Sequence, residues 1–163
     1  FYTMREAVCA LRPIQPRLPI LIGGSGPTKT LRTTARYADL WNAFGTPEAI
    51  ADTSLILAQR CAEEGRPLDE IERTVTIHAV VRDTEALANA AWDDVALIHG
   101  LDGHLGSDGG ERGLLIGGSP RQVAAYLDGY RRNGIREIIF VFRSPFDLET
   151  IARIEELRAA LGD

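Results

Sequence analysis

The stretch LPILIGGSGPTKTLRTTARYADLWNAF, Leu18 to Phe44, limits the fold more than any other part of the chain. Leu18 to Ile22 is an almost wholly apolar run, which predicts a parallel strand buried on both faces. Gly23, Gly24 and Gly26 follow at once, and a backbone without Cβ atoms can turn tightly there and approach a ligand closely. Leu31, Thr34, Ala35 and Ala38 recur at helical spacing, so a helix is expected from Pro27 or Thr28. Its first N–H groups and the positive end of its dipole would face the glycine turn, a combination that suits a phosphate. Leu40 to Phe44 then reads as a second short strand.

Several readings compete for this turn. The dinucleotide pattern G-x-G-x-x-G is met only as GSGPTK, with Lys29 in place of the third glycine and no acidic residue at the ribose position; the nearest, Glu48, follows a Thr-Pro helix start. The P-loop pattern is met as GGSGPTKT from Gly23 to Thr30, with Thr28 replacing the glycine before the lysine. The late apolar strand Ile138 to Phe142 ends in Arg143, not in the aspartate a magnesium site wants. A glycine turn that merely joins strand to helix stays open beside these.

The run PILIGGSGPTKTLRTTARYADLWN resembles the glycine-rich signature of the luciferase-like monooxygenase superfamily, and most of all its branch of coenzyme F420-dependent oxidoreductases. Downstream, GRPLDEIERTVTI and GSPRQVAAYLDGYRRNGIREIIF resemble later segments of that branch in order and spacing, and FYTMREAVCALRPIQPRLP resembles the approach to the first strand. The resemblance implies an eight-stranded (β/α)8 TIM barrel that binds FMN or F420 at its C-terminal mouth. It also implies that Gly23, Gly24, Ser25, Gly26 and Thr28 hold the cofactor phosphate. Lys29 reads either as a further phosphate ligand or as a solvated helix residue.

Strand and helix signals alternate from residue 18 to the end. Met4, Ala7, Val8 and Leu11 form a helical stripe ahead of Pro13 and Pro16. Thr46 and Pro47 read as N-cap and first helical residue, with Ile50, Ser54, Leu57, Ala58 and Cys61 on the buried side. Arg73 to Val81 is β-branched and alternating, hence a third strand, with His78 inside it. That histidine is either a hydrogen-bonded core or rim residue, or a group facing substrate at the barrel mouth. Asp83 or Thr84 caps a helix whose expected buried face is Leu87, Ala91, Val95 and Ile98, with Trp92 off that stripe and either packed on a neighbouring element, the reading preferred here, or stacked on a cofactor. GLDGHLGSDGGERG, residues 100–113, loses all periodicity and is expected to be a flexible glycine-rich loop; His104, Asp102 and Asp108 within it are read as solvated.

LIGGS occurs at Leu21 to Ser25 and again at Leu115 to Ser119. In the second copy Ser119, Pro120 and Gln122 make a capping box, so Ser119 is a structural cap. Val123, Leu127 and Tyr130 form the buried stripe of that helix, Gly134 ends it, and Ile135 to Phe142 is the next buried strand. Arg143, just past that strand, reads as a ligand for an anionic group or as half of a salt bridge. Leu148, Ile151, Ile154, Leu157 and Leu161 predict one amphipathic last helix.

Alternation of this kind gives about four β/α units with parallel strands. At 163 residues the chain falls short of the roughly 250 of a whole barrel, and it opens on Phe1. The expectation is a single partial domain over 1–163, the C-terminal half of a longer enzyme, with open sheet edges that favour self-association or pairing with a missing N-terminal half. A net charge of -5 argues against nucleic acid or an anionic membrane as partner and leaves a small-molecule substrate. No apolar run approaches the ~18 residues of a membrane span, and Cys9 and Cys61 have no metal-site spacing and fit a reducing cytoplasm.

Overall fold

A computed structural model describes residues 3, 5–8, 12–99 and 115–162. Five parallel strands, β1 (Leu21–Gly23), β2 (Leu40–Ala43), β3 (Glu72–Val81), β4 (Leu115–Gly118) and β5 (Glu137–Phe140), form one sheet. Between and after them run α1 (Thr30–Tyr37), α2 (Pro47–Glu63), α3 (Glu85–His99), α4 (Pro120–Arg132), α5 (Leu148–Ala152) and α6 (Ile154–Leu161). Strand and helix alternate as expected, but in five units rather than about four: Leu115–Gly118, read only as the lead-in to a capped helix, is itself a strand, and the fold class is that of half a β/α barrel.

Registered residues of parallel strands share a face. Gly23, Asn42, Thr74 and Glu137 lie in one row, and Ala43, Val75 and Ile138 in the next. Trp41, Ala43, Val75, Ile77, Ala79 and Val81 pack beneath the helices with Leu31, Ile50, Leu57, Val123, Leu127 and Leu157. The alternate residues of β2 and β3 look the other way, and there the Asn42 amide donates to the hydroxyls of Thr74 (2.9 Å) and Thr76 (3.0 Å).

β3 is longer than its neighbours because it serves two of them along one edge. Backbone groups of alternate residues point to opposite edges. Glu72 N–H donates to Asp39 O, and Arg82 N–H to Gly118 O, so β2 and β4 follow one another on the same side. Val141 N–H donates to Ile77 O on the opposite side, where β5 lies. Four strands, β1-β2-β3-β5, therefore make the barrel-type sheet, and β4 extends β3 beyond the end of β2.

Several expectations are corrected. β1 begins at Leu21, and its faces are not buried: Ile20 and Leu21 are each 49% exposed, because β1 is an edge with nothing on its outer side among the described residues. α1 begins at Thr30, since Pro27 to Lys29 form a turn instead. Ala7 and Val8 lie in exposed chain outside any helix, and Met4 and Leu11 fall outside the described residues. The buried face of α3 is Ala88, Trp92 and Ala96 against Val80, while Leu87 and Ile98 are exposed. Both rows have helical spacing, and Ala91 and Val95 of the expected one pack at the edge of the same cluster; the small Ala88 and Ala96 leave room for Trp92 at its centre.

The last helix is broken at Arg153, where α5 gives way to α6. Thr150 is the buried residue of α5: its hydroxyl accepts from Val81 N–H (2.8 Å) and donates to Asp147 (2.6 Å), so a polar contact fixes α5 and leaves Leu148 in solvent. Elsewhere the caps are as read. Thr46 caps α2, Thr84 accepts from Leu87 N–H, and Ser119 with Gln122 closes a reciprocal capping box on α4. Cys61 is buried, and burial pushes its thiol pKa up, consistent with an inert core residue. Cys9 and the 100–113 segment with Asp102, His104 and Asp108 lie outside the described residues.

Candidate functional site

The glycine turn leaves β1 through Gly24, whose φ of +116° is one that residues with a Cβ rarely adopt. Its N–H donates to Asn42 O at 3.0 Å, keeping the first step of the turn on the sheet. Its carbonyl accepts from the indole N–H of fully buried Trp41 at 2.8 Å. Two further carbonyls are drawn inward: Gly26 O accepts from Leu31 N–H (3.0 Å), and Pro27 O from the Arg60 guanidinium (3.3 Å). With the acceptors tied back, the amides of Ser25, Gly26, Thr28 and Lys29 have no hydrogen-bond partner among the described residues, and all four residues are exposed. Lys29 sits at the N-cap of α1 without a side-chain cap bond, and its ammonium has no ion-pair partner among the described residues.

This donor set suits an anion: N–H groups, the Ser25 and Thr28 hydroxyls and one ammonium, with no carboxylate in the turn itself. A Cβ on Gly26 would come within 2.9 Å of Thr30 Oγ1, and one on Gly24 within 3.3 Å of Thr30 Cγ2. Bare glycine is therefore needed to seat the turn on Thr30. A side chain at Gly24 would point toward α1 and would not fill the approach from solvent. Trp41 and Arg60 were not legible as parts of this site. Trp41 stands in an ordinary strand pattern, and Arg60 belongs to a helix more than 30 residues away in sequence.

A second cluster forms at the far end of β3. His78 Nδ1 lies 2.9 Å from Val141 O, and its ring sits 6.5 Å from that of Trp92. A carbonyl only accepts, so Nδ1 carries the proton and Nε2 presents its lone pair. Burial holds the His78 pKa below its usual value; the Val141 carbonyl opposes this, and the Arg143 charge adds to it. Val80, Trp92, Val95, Phe142 and Arg143 line a shallow cleft beside His78. Arg143 is exposed and forms no ion pair among the described residues, so its salt-bridge reading is not met there. The loop after β5 is pinned by Asp147, which receives Arg82 at 2.9 Å and caps α5 through Thr150 N–H (3.0 Å). Burial alone would raise the Asp147 carboxyl pKa, but these hydrogen bonds outweigh it and hold the value low.

Both clusters lie at the C-terminal ends of strands, which is where barrel sites form. Two strands across and four residues along separate Gly23, where the turn begins, from His78, about 16 Å at ordinary strand spacings. Exposed Phe44, following β2, stands between them. Among the described residues no group of acidic, histidine or cysteine side chains could hold a metal ion, and no helix is long and apolar enough to cross a membrane.

Solved structures share this architecture. The F420-dependent secondary alcohol dehydrogenase, seen with an F420-acetone adduct, superposes on 100% of the chain with a TM-score of 0.74 at 17% identity, and the match spans 54% of that enzyme. The coenzyme F420-dependent tetrahydromethanopterin reductase from Methanopyrus kandleri matches 75% of the chain and 44% of its own, with a TM-score of 0.57 at 18% identity. A long-chain alkane monooxygenase matches 86% of the chain and 40% of its own, with a TM-score of 0.59 at 17% identity. The chain thus spans about half the length of these proteins. No curated protein matches it by sequence. The family model described as luciferase-like monooxygenase matches residues 1–137. The chain therefore belongs to the luciferase-like monooxygenase family.

Proposed function

We propose that this chain supplies the phosphate anchor and part of the substrate wall of a flavin-type oxidoreductase, with F420 as the cofactor read first and FMN as the alternative. One observation carries the reading: a turn whose carbonyls are tied inward by Trp41, Leu31 and Arg60 while neighbouring amides have no partner among the described residues. Gly23, Gly24, Ser25, Gly26, Thr28 and Lys29 would hold the anionic tail. When bound, the cofactor would supply the electron-transfer chemistry; the protein's part is position, electrostatics and exclusion of water. His78 and Arg143, some 16 Å away by strand spacing, would face substrate. The similarity to both F420 enzymes and a monooxygenase keeps the two cofactors in contention.

Titration of FMN and of F420 into the chain, followed by fluorescence, tests the anchor. Saturable binding is expected, and Gly24→Val is expected to abolish it by forcing a side chain into a φ of +116°. Equal affinity in wild type and variant would remove the turn from the site. Binding without turnover would favour a half-barrel binding module, a reading supported by the open sheet edges.

A further inference from the structure

We propose that Phe44 is an aromatic platform against which the ring system of the phosphate-bearing cofactor packs, a role that rests on the flavin-type reading of the glycine turn. Exposed apolar residues such as Leu21 on β1 and Val141 after β5 stand at open edges, where further strands would cover them. Phe44 follows β2 instead, an inner strand with β1 paired on one side and β3 on the other, and it is still 53% exposed. No aromatic ring among the described residues stacks on it.

The backbone that presents Phe44 is clamped. At Gly45 the chain turns from β2 toward α2 with a φ of +146°, and a Cβ there would come within 3.2 Å of Ala49 Cβ. The Gly45 carbonyl accepts from the hydroxyl of fully buried Tyr130 at 2.7 Å. Thr46 Oγ1 accepts from Ala49 N–H at 3.2 Å, and Pro47 O from the Asn133 amide at 2.9 Å. With the next three residues fixed, the ring is offered to solvent from a rigid support, as a preorganised binding surface requires. Its place relative to the turn follows from the register. Gly23 pairs with Asn42, so Phe44 lies one strand across and two residues further along, about 8 Å from the start of the turn at ordinary strand spacings. An anion held by the turn amides therefore brings whatever a short chain joins to it within reach of this ring. Asn42, two residues before Phe44, adds no free donor there, since its amide nitrogen already donates to Thr74 and Thr76. What the strand end offers beside the anchor is one uncharged aromatic surface, which suits a planar ring and not a second charged group.

Titrations of the chain with FMN and with F420, read by the fluorescence of each, test the platform. Phe44→Ala should weaken binding about ten-fold and leave the urea midpoint unchanged, because the side chain belongs to neither buried cluster. Phe44→Trp should retain the affinity and quench the bound cofactor below its wild-type fluorescence, since an electron-rich indole quenches a flavin-type ring only on contact. Unchanged affinity in Phe44→Ala, or no added quenching in Phe44→Trp, overturns the proposal. Gly24→Val, which deforms the turn and spares Phe44, separates the two claims. If it keeps full affinity while both Phe44 variants behave as expected, the anchor falls and the platform stands. If it abolishes binding while the Phe44 variants match wild type, the platform falls and the anchor stands. Saturable binding of neither FMN nor F420 by the wild-type chain overturns both.

Discussion

Trp41 shows how one side chain can serve both core and site. Its ring is buried under α1 and α2, while its N–H reaches up to the Gly24 carbonyl. Trp41→Phe keeps most of the volume and removes the donor, so urea unfolding should register a loss of about 1 kcal/mol. Anion affinity at the turn should fall with it, since nothing else then turns that carbonyl away from the amides. His78 provides a pH signature. Its folded pKa is depressed by burial, so below the unfolded value of about 6.5 the unfolded chain binds more protons and stability falls as pH drops. Urea midpoints at pH 8 and pH 5 should therefore differ more in wild type than in His78→Gln; equal differences would refute the assignment.

Among the elements, those with strong local chemistry formed where they were read. Thr46-Pro47 and Ser119-Pro120-Gln122 start their helices because the cap satisfies amides that the helix cannot. α5 was misread because its anchor is polar. Thr150, not Leu148, meets β3, taking up the Val81 N–H that β5 is too short to reach. Thr150→Val should leave that buried amide without its acceptor and cost roughly 1–3 kcal/mol in chemical denaturation, more than an isosteric change at an exposed site. The face of α3 is half the one expected: Ala91 and Val95 pack at the edge of the buried cluster, but its centre is Ala88, Trp92 and Ala96 on Val80, and Leu87 and Ile98 are exposed.

The whole molecule is a half-closed sheet. β1 and β5 each have one edge unpaired among the described residues, and on the face away from the main core Leu21 (49%), Phe44 (53%) and Val141 (37%) are exposed. Bare edges and apolar side chains together favour further strands on that side. Sedimentation of the pure chain should consequently show species heavier than the 17.8 kDa monomer. Leu21→Asp, on the open face and outside the main core, should shift the population toward monomer without loss of helicity. A sharp monomer peak for wild type would show that the open edges tolerate water.

Local physics was sufficient to locate four of the five strands, all but Leu115–Gly118, along with the glycine turn and most helix starts, because apolar runs, capping chemistry and glycine freedom act within a few residues. It also marked the turn residues, Gly23 to Lys29, as a place of exposed donors. What it could not supply were contacts made across strands: Trp41 and Arg60 holding carbonyls of the turn, Val141 choosing the tautomer of His78, and Thr150 capping β3 from 69 residues away. Each is a hydrogen bond between segments far apart in the chain. Only the register of the folded sheet, which brings Val141 beside His78 and Asn42 beside Gly24, decides which of the possible partners meet.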